Sequence, residues 1–148
     1  MAEVTIAEGI EIAAPPEAVY DYRLDFTTLP AYNPHVSNMR RTDGGTELGT
    51  GAEYAFDLQL PGATEPIESP LRVLDARRPS MVTLETGPGF MAREVCTFDA
   101  TEAGTRVIFE QTITLEGDLP EDTLKAIGDS AGEQAKLELE LMKKNLEG

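Results

Sequence analysis

The chain has 148 residues, of which 41% are hydrophobic and 26% charged, the composition of a globular domain rather than a disordered one. A length of this order fits a single domain, residues 1–148, that buries about 70% of its unfolded surface and needs no disulfides to do so. Twelve basic against 27 acidic residues give a formal charge of −15; such a field repels phosphate backbones and anionic lipid surfaces, which argues against nucleic acid as a partner.

Met1 to Gly9 contains acidic residues and no basic patch ahead of an apolar run, unlike a signal peptide. No stretch reaches the roughly 18 apolar residues that a membrane span requires. Cys96 is the only thiol, so no internal disulfide is available and a reducing, cytoplasmic compartment is expected.

Val4, Ile6, Ile10 and Ile12 share one parity, as in a half-buried strand, and Glu8 falls on the same parity. Gly9 beside it would suit a bulge that turns Glu8 outward. Ala14-Pro15-Pro16-Glu17 starts a helix, since proline in a first turn loses no intrahelical bond. Asp25-Phe26-Thr27-Thr28 caps a second short helix, confined by Pro30 and Asn33-Pro34. Strand-like runs follow at Val36–Thr42, Ala52–Leu60, Ile67–Leu74, Met81–Thr86, Phe90–Phe98 and Arg106–Leu115. Pro61-Gly62 is a turn. Pro70 marks its run as an edge or a bulge. The last element is a helix from about Pro120 to Leu146, with Leu124, Ile127, Ala131, Ala135, Leu139, Met142 and Leu146 on one stripe. Gly128 and Gly132 lie near its first half. Glycine there costs about 1 kcal/mol relative to alanine, tolerable if something else occupies the space.

Consecutive strands without alternating helices predict an antiparallel sheet and an α+β fold. The basic pairs Arg40-Arg41, Arg77-Arg78 and Lys143-Lys144 read as solvated turns and a helix end.

One His and one Cys, far apart, do not make a zinc site. Neither a nucleotide-binding glycine loop nor a nucleophile elbow is present, and no cofactor is implied. His35, in Tyr32-Asn33-Pro34-His35, is a loop histidine that could stand at a pocket mouth beside Tyr32. The final hairpin is more informative. A two-residue turn at Glu102-Ala103 sets Phe98 opposite Val107, Cys96 opposite Phe109 and Glu94 opposite Gln111. Phe90, Ala92, Cys96, Phe98, Val107, Phe109, Ile113 and Leu115 then share a face, with Glu94 and Gln111 a polar pair inside it. A carboxylate in an apolar wall is costly unless paired or protonated, so a raised pKa is expected for Glu94. Such a group orients a ligand carbonyl or hydroxyl, or moves a proton.

Ile10-Glu11-Ile12-Ala13-Ala14-Pro15-Pro16-Glu17-Ala18-Val19-Tyr20-Asp21, Leu29-Pro30-Ala31-Tyr32-Asn33-Pro34 and Gly104-Thr105-Arg106-Val107, together with the long last helix, resemble the START-like, or SRPBCC, superfamily. The similarity is to its polyketide cyclase/dehydrase and lipid-transport-like branch and covers essentially the whole chain. It implies a helix-grip fold: seven antiparallel strands curved around the C-terminal helix, two short helices after the first strand, and a cavity for sterols, polyketides or lipids. That topology would bring Glu8, Gln111 and Glu94 onto neighbouring strands.

The leading expectation is therefore a cavity binding a small apolar molecule. Its wall would be Tyr54, Phe56, Phe90, Phe98 and Phe109, with Ala131 and Ala135 on the helix, and Glu94 and Gln111 would orient the ligand. Two other readings stay open. A polyketide cyclase/aromatase or dehydratase would use Glu94 or His35 as proton shuttle and Tyr32 or Gln111 to polarise a carbonyl. A protein-interaction module would use Leu137 and Leu141, off the main helix stripe, to form a homodimer.

Overall fold

The computed structural model describes residues 1–60 and 62–148. Strand β1 (Ala2–Ile12) leads into helix α1 (Pro16–Leu24) and a 3₁₀ helix (Phe26–Ala31). Five strands follow in succession: β2 (Val36–Arg41), β3 (Glu53–Leu58), β4 (Ile67–Arg77), β5 (Met81–Thr86) and, after a short 3₁₀ turn at Pro88–Phe90, β6 (Ala92–Ala100). Strand β7 (Thr105–Leu115) and helix α2 (Glu121–Glu147) complete the chain. The seven strands form one antiparallel sheet in the order β1-β7-β6-β5-β4-β3-β2. This is the α+β architecture that the element order implied, in the helix-grip form that the resemblance implied.

The final hairpin has the expected register: Phe98 pairs with Val107, Cys96 with Phe109 and Glu94 with Gln111. β1 starts earlier than its apolar alternation suggests, because Ala2 and Glu3 continue the ladder to Leu115 and Thr114. That ladder runs unbroken through Gly9, so no bulge turns Glu8 away from α2. A Cβ at Gly9 would sit 3.1 Å from the Val107 carbonyl, and close strand approach accounts for the glycine.

Pro70 does not lie on an edge strand, since β4 runs between β3 and β5. The β4–β5 ladder begins one residue later, at Leu71 with Thr86. Pro70 therefore forfeits no ladder bond, and the Thr86 hydroxyl donates to its carbonyl at 2.7 Å. The bulge falls instead between Val73 and Asp75. Phe90 belongs to the 3₁₀ turn with φ of +54°, ahead of the strand expected to contain it. Of the Pro61-Gly62 turn, Pro61 lies outside the described residues.

α1 buries Val19, Tyr20, Arg23 and Leu24 against the sheet. The 3₁₀ helix is capped by Asp25, which accepts from the Thr27 amide at 3.2 Å. The core gathers where these helices and the C-terminal half of α2 meet the sheet. Tyr20 packs edge-on to Phe98 and Phe26 to Tyr54, each pair at 5.8 Å between centroids, beside Phe109, Leu139 and Met142. The N-terminal half of α2 stands off from this core.

The two helix glycines face β1. A Cβ on Gly128 would lie 3.2 Å from Val4 Cγ1, and one on Gly132 3.5 Å from Glu8 Oε1. What occupies the space beside them is β1. Leu141, expected on the outer face, is partly buried and packs against the core, while Leu137 is exposed. Of the leucine pair invoked for a homodimer, Leu137 is exposed and Leu141 only partly so.

Candidate functional site

Between the sheet and the N-terminal half of α2 lies a cavity of about 600 Å³. Phe56, Leu58, Leu71, Leu84, Met91 and Ile113 line the sheet side, and Ile127, Ala131 and Ala135 the helix side. Leu60 and Ile67, which also line it, are 42% and 38% exposed and mark the opening. At the buried end stand Arg23, Glu94, Glu138, Asn33 and Gln111.

These five side chains form one cluster. The Arg23 guanidinium donates through Nη2 to Glu94 Oε2 and through Nη1 to Glu138 Oε1, the latter at 2.5 Å. Gln111 Nε2 donates to Glu94 Oε1 at 2.9 Å, and Asn33 Nδ2 to Glu138 Oε2 at 2.9 Å. The Cys96 thiol donates to Glu94 Oε2 at 3.2 Å. The guanidinium also lies 4.4 Å from the centre of the Phe109 ring and 5.2 Å from that of Phe26, a stack that holds the charge in place. Arg23 and Glu94 are each 3% exposed.

Burial opposes the charge on Arg23, but the pull of Glu94, joined by Glu138, outweighs it and holds the guanidinium further above its ordinary range. Burial raises the Glu138 carboxyl above its ordinary value, against the opposing charge of Arg23 and with a further push from Glu94. Burial, then Glu94, pushes the Cys96 thiol well up, so it is an inert donor rather than a nucleophile. The sequence shows Glu94 as a carboxylate in an apolar wall with no counter-charge; the fold places Arg23 against it.

The shift on Glu138 has a stability consequence. The folded chain holds this proton more tightly than the unfolded chain does. Stability should therefore fall as pH rises from the ordinary glutamate value of 4.5 through the raised one, and level off above it. Glu138→Gln should lose that slope. Denaturant midpoints of both proteins across this range provide the test, and parallel curves would show that Glu138 titrates as it does in the unfolded chain.

Of the sequence-predicted residues, Phe56, Glu94, Gln111, Ala131 and Ala135 line the cavity. Tyr32, Tyr54, Phe98 and Phe109 do not: each is at most 2% exposed and lies in the core. Tyr54, Phe98 and Phe109 have the expected inward parity, but the core and the cavity share that face of the sheet at different heights; Tyr32 ends the 3₁₀ helix and is buried there. Phe90 leaves the wall because its ring lies under the Arg72 guanidinium, 4.6 Å from its centre. His35 is also outside the lining. Its amide donates to Asn33 Oδ1 at 3.0 Å and its carbonyl accepts from Gln59 at 2.8 Å. Glu8 faces α2 rather than the cavity, with Lys136 Nζ 3.8 Å away; β7 sets it opposite Phe109, not Gln111.

Sequence reading missed Arg23, Glu138 and Asn33. Val19, Tyr20 and Leu24 define the buried face of α1, and Arg23 falls on it, one turn after Val19. Glu138 is one turn beyond Gln134 on the cavity side of α2. For Arg23 and Glu138 the signal was a charge on an apolar face.

Among the described residues, no group of three or more potential metal ligands converges, and no helix is long and apolar enough to cross a membrane.

The fold is thus a helix-grip sheet with an apolar cavity under its last helix and a polar floor. Residues 1–147 match the family described as polyketide cyclase / dehydrase and lipid transport. The chain belongs to that family. Among solved structures, it is similar to SA2116 of Staphylococcus aureus, a protein of unknown function (TM-score 0.79, 14% identity, 99% of this chain and 94% of that one). It is similar over its full length to KanY (TM-score 0.75, 24% identity, 100% of both chains). It also resembles half of the di-domain ARO/CYC StfQ from the steffimycin biosynthetic pathway (TM-score 0.75, 17% identity, 98% of this chain and 51% of that one). These likenesses are of fold. Comparison with curated protein sequences finds no match.

Proposed function

We propose that this chain binds one small, mostly apolar molecule between its sheet and α2, with the polar end of the molecule against Glu94, Gln111 and Glu138. The observation that carries this is the cavity itself: about 600 Å³, walled by aliphatic side chains and ending on a hydrogen-bonded polar cluster. Ligand sites commonly measure roughly 300–1,000 Å³ with a few convergent polar groups. Side chains could have filled this volume, and Ala131 and Ala135 leave it open.

Ala131→Phe puts a ring into that space from a position where alanine has no packing to lose. Affinity for the neutral dye Nile red, followed by its fluorescence, should fall by about tenfold or more, some 1.4 kcal/mol, with helicity retained by circular dichroism. Unchanged affinity would place the dye elsewhere and remove this reading.

A second reading is a polyketide cyclase or dehydratase. Glu138, its carboxyl raised by burial, faces the same space as Glu94, so a proton donor and an acceptor meet one ligand. StfQ, named as an ARO/CYC, has this fold. Turnover of a poly-β-ketone that vanishes in Glu138→Gln while binding persists would favour it over binding alone.

A further inference from the structure

The buried end of the cavity has surplus acceptors and a deficit of positive charge. Three ionisable side chains line the cavity: Arg23, Glu94 and Glu138. One cation against two carboxylates leaves either one negative charge or one bound proton. The donors here are already directed at those carboxylates. Both terminal nitrogens of Arg23, the amides of Gln111 and Asn33, and the Cys96 thiol make five hydrogen bonds to them. Two carboxylates offer roughly eight lone-pair sites, so acceptor positions remain. The Gln111 carbonyl oxygen accepts no bond from any described residue either. Arg23 Nε, the one donor of the cluster left without a partner, is itself fully buried.

We infer that the cavity selects molecules that enter with a hydrogen-bond donor leading, a hydroxyl or an amine, and excludes molecules whose leading group is a carboxylate. This rests on the binding reading above and names the ligand class for it. A hydroxyl or an amine donates to a floor carboxylate or to the Gln111 carbonyl, so the leading group supplies the donor that the floor lacks. A carboxylate entering first would face two carboxylates across a single, already engaged guanidinium, in a water-poor site where charge is weakly screened. The chain's overall charge of −15 acts in the same direction on the approach. An acidic end of a ligand would accordingly remain at the Leu60–Ile67 opening.

The test is displacement of Nile red from the wild-type protein near neutral pH by naphthalene, naphthol, naphthylmethylamine and naphthoate. These share one ring system and differ in the leading group. Naphthol or naphthylmethylamine should bind more tightly than naphthalene, and whichever is tighter tells a neutral donor from a cationic one. Naphthoate should bind at least about a hundredfold more weakly than the better donor. In Glu138→Gln, which cancels the surplus charge, that ratio should shrink by about tenfold or more. Naphthoate equal to or tighter than both donors in the wild type would overturn the inference while leaving the cavity reading intact. Failure of Nile red to bind at all would overturn both. The wild-type series decides the matter without the variant, should Glu138→Gln fail to fold.

Discussion

Arg23→Met should destabilise the fold by about 3–5 kcal/mol, the usual consequence of removing one partner from a buried ion pair. The side chain is 3% exposed, and its loss strands Glu94 and Glu138 together in an apolar surround with only Gln111, Asn33 and Cys96 as neutral donors. Methionine keeps most of the volume over Phe109, so packing changes less than charge does. Urea unfolding should show a lower midpoint with an unchanged slope. The stranded carboxylates, rather than any intrinsic strength of the ion pair, cause the loss. Adding Glu94→Gln and Glu138→Gln to Arg23→Met should therefore recover most of it, because neutral amides in place of carboxylates carry no uncompensated charge. A triple variant as unstable as Arg23→Met alone would assign the effect to lost stacking on Phe109 and Phe26. The Arg23 variant should also bind Nile red differently, since its floor would take up protons or water.

The same cluster explains what could be read from the sequence and what could not. Period-two alternation and a two-residue turn fix hairpin register, so the Glu94–Gln111 pairing followed from the positions of Phe98, Phe109 and Glu102-Ala103. Alternation states which side of a sheet a residue faces. It does not state whether helix, core or empty space lies above it. Phe98 and Phe109 have the parity of Glu94 yet meet Tyr20 and Arg23 rather than the cavity. That depends on where α1 and α2 cross the sheet. The floor draws on α1, β6, β7, α2 and the loop carrying Asn33. Of its three unread members, Arg23 and Glu138 are 115 residues apart in sequence. No local pattern joins them. Each was nevertheless marked by a charge on an otherwise buried helical face, and a buried charge implies a partner. Glu94 had been identified as a buried acid in need of one. His35 shows the converse: a rare, chemically versatile residue whose backbone, tied to Asn33 and Gln59, accounts for its position.

Gly104→Ala should cost about 3 kcal/mol or more, although the residue is small and lies in a surface turn. Glu102 and Ala103 form the tip of the β6–β7 hairpin, with Thr101 and Gly104 exchanging backbone bonds of 2.9 and 3.3 Å. Gly104 has φ of +151°, and its α-carbon faces the corner where β1 turns into α1. A Cβ there would overlap the Ile12 carbonyl oxygen and lie 2.8 Å from the Ala14 nitrogen. Both are backbone atoms, already joined by a 2.9 Å hydrogen bond, so neither yields as a flexible side chain would. Backbone strain of about 1–3 kcal/mol combines with overpacking of similar size. The control is Gly117→Ala, with φ of +78° and nothing within 4 Å of the added carbon, where about 1 kcal/mol is expected from the left-handed conformation alone. If the two variants unfold at the same denaturant concentration, the corner gives way easily and the contact is incidental. A much larger loss at Gly104 would tie the hairpin to the corner between β1 and α1. Thr105 holds the same corner through its hydroxyl, which donates to the Ala14 carbonyl at 2.7 Å. That corner sets where α1 begins, and so where Arg23 meets Glu94.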